Sequence, residues 1–331
     1  MAVRRRKQRR GRSYAWRYRG RIVACVFVEV LIICALVIMV GWNKGVKEWF
    51  EQFEQPVLKE VDISGINSPN AILMHARGGK VLGEINGDEK IYPASMTKIM
   101  TVILGIENFD DLDEKITLTN EMFTGLYEQD ATQAGFQPGE EVRVIDLLYG
   151  AMLPSGAECC IALADTISGS EADFAELMNK KARKLGMENT NFCDSTGLHN
   201  PDHYSTVKDI AVLMKYCIKN DTFREIVETS RHSTGVTNIH PDGITYYSTM
   251  FKNLSDPTVT GGKILGGKTG YTSEAGHCLV SFAEIEGREY IFVSAGASGA
   301  DGNTIPHIQD AVTVYNRVGA AIEAKMNNNN K

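Results

Sequence analysis

The chain has 331 residues, of which 43% are hydrophobic and 23% are charged. This is the composition of a globular protein with a large core, and it excludes disordered, collagen-like and disulfide-dense small proteins. The net charge of −6 is unevenly distributed: residues 1–21 contain ten Lys and Arg and no acidic residue, which leaves the remainder with a net charge of −16. Because so acidic a body repels phosphate backbones, we expect no nucleic-acid partner.

An apolar stretch of membrane-spanning length follows this basic tail. Residues 22–42 contain one charged side chain, Glu29, and are long enough to cross a bilayer as a helix. The preceding arginines predict that residues 1–21 stay in the cytoplasm and that the rest of the chain lies outside the cell. A cleaved signal peptide is a weaker alternative, since no small-residue cleavage site precedes Trp42. A buried core helix is weaker still, because it leaves the block of arginines unexplained.

The remainder of the chain predicts a stalk and one domain. Apolar residues at helical spacing around Pro56 predict a stalk over 43–68, followed by a globular domain over 69–326 and a disordered polar tail over 327–331. Five cysteines lie outside the predicted span, and their spacing matches no zinc site or regular disulfide framework. We expect them to be small buried hydrophobic residues.

Strand patterns occur at both ends of the predicted domain, and helical patterns lie between them. The N-terminal part predicts a hairpin over 71–85 and a helix over 95–107, and the pattern stays mostly helical to about residue 230. The C-terminal part predicts strands over 263–272, 278–285 and 289–297, a turn at 286–288, and an amphipathic helix over 308–326. This order predicts an α/β (α+β) fold, with one sheet built from both chain ends and a helical insert.

A serine and a lysine stand three residues apart at the start of the first predicted helix. The spacing places Ser95 and Lys98 on one helix face. Serine is a weak nucleophile that needs a neighbouring base, and a neutral lysine can serve if burial or a nearby cation lowers its pKa. The same spacing recurs at Ser205 and Lys208, where Ser205 or Thr206 is expected only to cap a helix. The first motif therefore needs a companion.

The companion is a glycine-rich segment, residues 266–272, with the sequence GGKTGYT. A lysine and a threonine on an edge strand, flanked by glycines that admit a substrate backbone, form a cradle for a peptide that ends in a carboxylate. Alone, the segment also fits a glycine-rich turn with a solvent-exposed lysine. Ser-x-x-Lys followed some 170 residues later by Lys-Thr-Gly is, however, a pairing with a known mechanism.

With these motifs the chain resembles the serine D-alanyl-D-alanine carboxypeptidases, which are low-molecular-mass penicillin-binding proteins. The resemblance covers nearly all of residues 71–297, including segments 71–85, 92–98, 191–206 and 268–272. It implies a β-lactamase/transpeptidase-like fold with an antiparallel sheet, and neither a cofactor nor a metal. It also implies peptidoglycan stem peptides ending in D-Ala-D-Ala as substrates and β-lactam antibiotics as inhibitors.

The resemblance implies a role for each motif residue. Ser95 attacks the carbonyl between the two terminal D-alanines and forms an acyl-enzyme, Lys98 takes its proton, and Ser155 relays that proton to the leaving amine. The backbone N–H groups of Ser95 and Tyr271 form the oxyanion hole, and Lys268 and Thr269 hold the terminal carboxylate. The implied substrate-binding residues are therefore neighbours on one strand: Lys268, Thr269, Gly270 and Tyr271.

One position departs from the family pattern. The family's middle motif is Ser-x-Asn, whereas this chain has Ser155, Gly156 and Ala157, followed by Glu158. The family's Asn holds the acyl-side amide of the substrate, and losing one such contact costs about 1–3 kcal/mol. The alternative to an enzyme is therefore a muropeptide- or penicillin-binding module with little turnover. For Glu158 we expect a structural role rather than compensation for the missing Asn.

Two further enzyme classes fit the sequence less well. A β-lactamase of class A needs a Glu-x-x-Leu-Asn motif, and the stretch 176–179 has the wrong spacing within a helical pattern. A zinc peptidase could use His199 and His203, but the sequence contains no His-Glu-x-x-His. The sequence therefore predicts a membrane-anchored serine D-Ala-D-Ala carboxypeptidase whose catalytic domain is extracellular.

Overall fold

The computed structural model describes residues 58–299 and 305–329. Within these residues the strands are β1 (Asn70–His75), β2 (Val81–Ile85), β3 (Lys115–Thr117), β4 (Glu141–Arg143), β5 (Arg231–Ser233), β6 (Thr245–Tyr247), β7 (Thr258–Val259), β8 (Gly262–Thr272), β9 (Gly276–Ile285) and β10 (Arg288–Ala297). Six of them form an antiparallel sheet in the order β2-β1-β10-β9-β8-β7. Because β1 pairs with β10, strands from both ends of the domain lie side by side, as predicted.

Helices cover both faces of this sheet. A 3₁₀ turn over Ala94–Thr97 precedes the helices α1 (Lys98–Asn108), α2 (Val144–Met152), α3 (Ala157–Ser168), α4 (Glu171–Leu185), α5 (Val207–Cys217), α6 (Asp221–Glu228), α7 (Thr249–Asn253) and α8 (Pro306–Asn329). Helices α1–α6 form the predicted insert and pack on one face, whereas α8 packs on the other. The predicted α/β fold class is therefore confirmed.

Two apolar cores, one on each face of the sheet, hold these layers together. The larger core joins the insert to the sheet, and the smaller one joins α8 to the opposite face through side chains such as Tyr315 and Phe292. The five cysteines of the described part of the chain form no disulfide, and all but Cys193 are buried. The expectation of small apolar cysteines is met for those four.

The domain begins before residue 69. Leu58, Val61 and Ile63 are buried in the smaller core, and the Val61 N–H donates to the Leu82 carbonyl at 2.7 Å. The residues from 58 onward that were assigned to the stalk therefore belong to the folded domain, because their apolar side chains cover the sheet. The predicted tail 1–21, span 22–42 and rest of the stalk lie outside the described residues. Among the residues that are described, no helix has the length and apolarity needed to cross a bilayer.

The predicted strands and helices around the site occur with small shifts in their ends. The turn between β9 and β10 contains Glu286 and Gly287 at φ values of 48° and 68°, which is the backbone of a tight primed hairpin turn. The helix predicted over 95–107 starts as the 3₁₀ turn and continues as α1. The last helix extends to Asn329 instead of ending at 326, so residues 327–329 of the predicted tail are helical, and the rest of that tail lies outside the described residues.

Candidate active site

Ser95 and Lys98 meet at the junction between the 3₁₀ turn and α1. A 3₁₀ turn has three residues per turn, so side chains at i and i+3 lie directly above one another. Lys98 Nζ lies 3.0 Å from Ser95 Oγ and donates a hydrogen bond to the Thr196 carbonyl at 2.7 Å. Lys98 is only 4% exposed, and its burial lowers the pKa of the amine from 10.5. The geometry places a base with reduced proton affinity next to a serine hydroxyl.

Lys268 and Ser155 form a second pair beside the first. Lys268 Nζ donates to Ser155 Oγ at 3.0 Å and to the Thr269 carbonyl at 2.9 Å. Lys268 is 1% exposed, and burial, with the nearby charge of Lys98, holds its pKa well below 10.5. The two amines are therefore close enough for the charge of Lys98 to disfavour that of Lys268. Four residues named from the sequence are thus placed in two contacting pairs.

The backbone is strained next to both serines. Ala94 has a φ of 46° and Ser155 a φ of 74°, values that non-glycine residues adopt at a cost of about 1–3 kcal/mol. Gly197 lies so close to this turn that a Cβ there would stand 1.9 Å from the Ala94 carbonyl oxygen. Such strain persists only where the surrounding contacts impose it, and it is concentrated at functional sites.

Strand β8 forms one wall of the site along its free edge. Beyond its short pairing with β7 at Gly262 and Lys263, the strand has no partner on that side among the described strands. Thr269 Oγ1 lies 2.8 Å from Thr249 Oγ1. A Cβ at Gly270 would lie 3.0 Å from the Ser95 nitrogen, so the strand and the serine backbone border the same space.

Two cavities open on either side of Ser95. One, of about 440 Å³, is also lined by Ser155, Thr269 and Gly270. The other, of about 420 Å³, is lined by Lys98 and by residues on the opposite side, namely Ala157, Thr196, Gly197 and His199. Tyr271, which is 60% exposed, borders both cavities. Ser95 therefore borders both cavities.

Glu158 supports the wall of the site. Its Oε1 accepts hydrogen bonds from the backbone N–H groups of Ala134 at 2.6 Å and Gly135 at 2.9 Å, and the neighbouring Ala157 N–H donates to the Thr132 carbonyl at 2.8 Å. Burial raises the pKa of this carboxyl. These contacts agree with the structural role expected for Glu158. The Ala157 methyl group lines the cavity at the position where the family's pattern has an amide.

Several residues of the site have no motif in the sequence. The His277 ring is stacked on His307 at 5.0 Å between centroids and lies 4.6 Å from the tilted ring of Tyr271. Both histidines line the cavity beside Thr269. Burial lowers the pKa of His307 to about 4, so this ring is neutral at physiological pH. No local pattern could have placed His307 here, because it reaches the site from the start of α8.

His199 and His203, which were considered as zinc ligands, contact different groups. His203 is buried against Thr97 and Asp194, whereas the His199 ring lies edge-on to Tyr92 at 4.8 Å between centroids. Across the residues that the structure describes, no group of three His, Cys, Asp or Glu side chains could hold a metal ion. Asp194 and Thr97, to which the sequence pattern assigned no role, lie within hydrogen-bonding distance of His203.

Comparison with known proteins gives consistent matches. The family model of peptidase S11, described as D-alanyl-D-alanine carboxypeptidase, matches residues 57–299. D-alanyl-D-alanine carboxypeptidase DacF of Bacillus subtilis is 36% identical over 233 residues, which are 69% of this chain and 57% of that protein. DacC of Escherichia coli is 34% identical over 262 residues, which are 72% of this chain and 58% of that protein. The chain thus spans somewhat more than half the length of these relatives.

Solved structures match the same region. The DD-transpeptidase of Streptomyces K15 aligns with a TM-score of 0.69 and 30% identity, covering 79% of this chain and all of that chain. A D-alanyl-D-alanine carboxypeptidase of Mycobacterium tuberculosis aligns with a TM-score of 0.70, covering 79% of this chain and 94% of that one. At 22% identity the second match supports the fold alone.

Proposed function

Because the chain belongs to the D-alanyl-D-alanine carboxypeptidase family, peptidase S11, we propose that it removes the terminal D-alanine from peptidoglycan stem peptides. The main support is the position of Lys98, which is buried, has a lowered pKa and lies 3.0 Å from Ser95 Oγ. The names of the relatives support the substrate class, since DacF and DacC are both called D-alanyl-D-alanine carboxypeptidases.

In the proposed acylation step, the neutral Lys98 amine accepts the proton of Ser95 while Oγ attacks the penultimate D-Ala carbonyl. The new C–O bond replaces the C–N bond to the terminal D-alanine, and the leaving amine receives through Ser155 the proton that Lys98 took from Ser95. The hydrogen bond from Lys268 Nζ to Ser155 Oγ at 3.0 Å holds this hydroxyl beside the site. Backbone N–H groups of Ser95 and Tyr271 stabilise the oxyanion, as the close approach of β8 to Ser95 allows.

Deacylation follows the same route with water. Lys98 takes a proton from a water molecule, which attacks the acyl carbonyl; Ser95 Oγ leaves and regains a proton. Lys268 and Thr269 hold the substrate's terminal carboxylate at the edge of β8, and a β-lactam that mimics D-Ala-D-Ala acylates the same serine.

The basic segment 1–21 and the apolar segment 22–42 support a single-pass membrane anchor with the catalytic domain outside the cell.

The test is D-alanine release from a stem-pentapeptide mimic by the full-length protein in detergent. Wild type should release D-alanine, Ser95→Ala should not, and Ser205→Ala is the matched control that should behave as wild type. Retention of full activity by Ser95→Ala would contradict the proposal.

Ala157 supports a second candidate, a penicillin-binding module with slow turnover. In that case a fluorescent penicillin labels Ser95 in a burst, but D-alanine release from the peptide is absent. The variant Ala157→Asn restores the amide of the family pattern. If Ala157 limits turnover, this variant gains activity of about tenfold, the equivalent of one polar contact of about 1–1.5 kcal/mol. If wild type already releases D-alanine at a rate typical of an enzyme, the binding module is excluded.

A further inference from the structure

One carboxylate oxygen organises the loop that contacts the proposed base. Asp194 Oδ1 accepts hydrogen bonds from the Thr196 N–H at 2.8 Å, the Thr196 hydroxyl at 2.8 Å and the Gly197 N–H at 2.6 Å. The carbonyl of this same Thr196 accepts the hydrogen bond from Lys98 Nζ at 2.7 Å. The position of the lysine amine is therefore coupled to Asp194 through one intervening residue.

The other oxygen of Asp194 is connected through His203 to the 3₁₀ turn that contains Ser95. Asp194 Oδ2 lies 3.0 Å from His203 Nδ1, and His203 Nε2 lies 2.8 Å from the hydroxyl of Thr97, the residue directly before Lys98. His203 is 2% exposed, and its ring packs edge-on against Phe192. The contacts thus form a closed circuit that starts and ends at the turn containing the serine and the lysine.

The contacts of this circuit keep the Asp194 carboxyl ionised. Burial alone raises the pKa of Asp194, but the hydrogen bond and charge of His203 and the bonds from Thr196 and Gly197 bring it down to about 2. The carboxylate is therefore ionised at working pH and favours the protonated form of Lys98, against the effect of burial. Such a buried charge is tolerated only where it is paired and fully hydrogen-bonded.

We propose that Asp194 and His203 are positioning residues for Lys98, which hold its carbonyl partner and its helical turn in one fixed arrangement. The proposal rests on Lys98 being the base of the proposed function. A carboxylate that only shaped the loop would influence stability, whereas this one also acts on the protonation of the lysine. The other ionisable groups near Lys98 stay unchanged in the variants below: Glu158, Lys268, Cys159 and Cys160.

The decisive experiment compares wild type with Asp194→Asn as full-length proteins. The readout is the second-order rate of acylation by a fluorescent penicillin as a function of pH. Loss of the carboxylate charge lowers the pKa of Lys98, so the acid limb of the profile should move to lower pH, by roughly one unit. The plateau rate should fall about tenfold or more because the amine is less well oriented. A profile with an unmoved acid limb would overturn the proposal, even if the plateau fell.

Two substitutions of His203 test the link itself. The amide of Asn can occupy the place of Nδ1, and that of Gln the place of Nε2, so His203→Asn keeps the contact to Asp194 and His203→Gln keeps the one to Thr97. If the link to Asp194 orients the loop, His203→Asn should retain several-fold more of the plateau rate than His203→Gln. Equal rates in the two variants would contradict that assignment.

Asp209 provides a matched control. It is also a buried carboxylate that fastens a loop, since its Oδ2 accepts from the Asn189 N–H at 2.9 Å and the Thr190 hydroxyl at 2.7 Å. Asp209→Asn should leave the acid limb where wild type has it, and a shift equal to that of Asp194→Asn would overturn the proposal. Failure of wild type to be acylated would instead overturn the proposed function, so the two failures are distinguishable.

Discussion

Serine and lysine stand three residues apart at two places in this chain, with opposite surroundings. In the first, Lys98 is buried and its amine lies 3.0 Å from Ser95 Oγ. In the second, the Lys208 side chain is 44% exposed and pairs with Asp88, while Ser205 is 2.8 Å from the Thr190 hydroxyl. Equal spacing in the sequence has therefore produced one pair in hydrogen-bonding contact and one pair of unrelated side chains.

The difference arises where each helix begins. At the first place the 3₁₀ turn includes Ser95 and runs directly into α1, so serine and lysine face one another. At the second, Thr206 is the N-cap and α5 begins at Val207, so Ser205 lies outside the helix. The predicted capping is thus confirmed for Thr206, which accepts from the Asp209 N–H at 3.0 Å. Spacing permits a contact, but the helix start and the burial of the lysine decide whether it forms.

The strongest contrast should come from the two serines. We expect Ser95→Ala to lower kcat for D-alanine release at least about 1000-fold, because the variant lacks the hydroxyl that is proposed to form the acyl-enzyme. Ser205→Ala should stay within about twofold of wild type and change mainly the stability. Covalent labelling by a fluorescent penicillin, read by mass spectrometry, checks the same point; labelling that persists in Ser95→Ala would contradict it.

The two lysines should differ almost as much. Lys98→Met removes the proposed general base and should reduce the acylation rate by about 10²–10⁴-fold. Lys208→Met breaks an exposed ion pair, which contributes about 0–1 kcal/mol to stability, and should leave the rate unchanged. Stopped-flow acylation measures the first effect and chemical denaturation the second. A loss of acylation rate in Lys208→Met comparable to that in Lys98→Met would contradict the conclusion that only Lys98 takes part in acylation.

The two lysines also titrate in opposite directions. Burial lowers the pKa of Lys98, whereas the hydrogen bond to Asp88 raises that of Lys208. Since the neutral amine is the active form, acylation should rise about tenfold per pH unit below the Lys98 pKa and level off before pH 10.5. A pH profile of β-lactam acylation tests this, with Lys208→Met as the control that keeps the same limb. A flat profile would contradict the assignment of Lys98 as base.

The smallest effect should come from the cap of α5. Thr206→Ala removes the side chain that accepts from the Asp209 N–H and should cost about 0.5–2 kcal/mol in the free energy of unfolding. Because the cap lies outside the catalytic pairs, kcat/KM should stay within about twofold. Urea denaturation and D-alanine release measured on the same preparation decide the point. A large loss of activity at unchanged stability would show that the second motif serves the reaction.

Much of the fold and the residues that meet in the candidate site could be predicted from the sequence because the relevant information is local. Alternating strands, the glycine-flanked Lys268 and the Ser95–Lys98 spacing are each visible within about ten residues. The circuit through Asp194 could not be predicted in this way. Thr97 and His203 are 106 residues apart, and no periodicity indicates which loops meet across such a distance. The same holds for His307, which approaches from the last helix.

The sequence pattern did not indicate that the domain already begins near residue 58, and the reason is different. Leu58, Val61 and Ile63 lie in an irregular segment that has neither helical nor strand periodicity, so its burial depends on the sheet face that it covers. The sequence assigned these residues to a stalk because Pro56 and a helical spacing dominate the residues before them.

The pairing of β1 with β10 has a consequence for how this protein acquires activity. Met74 pairs with Ile291 and His75 with Tyr290, so more than 200 residues must be in place before the centre of the sheet closes. Loop closure over such a distance is entropically costly, and folds dominated by distant pairings form slowly. Ser95 follows β2 and Lys268 lies on β8, so bringing these two motifs together also closes a loop of more than 170 residues. A chain in which these distant segments have not yet met contains every residue of the candidate site but not the arrangement that the proposed reaction needs.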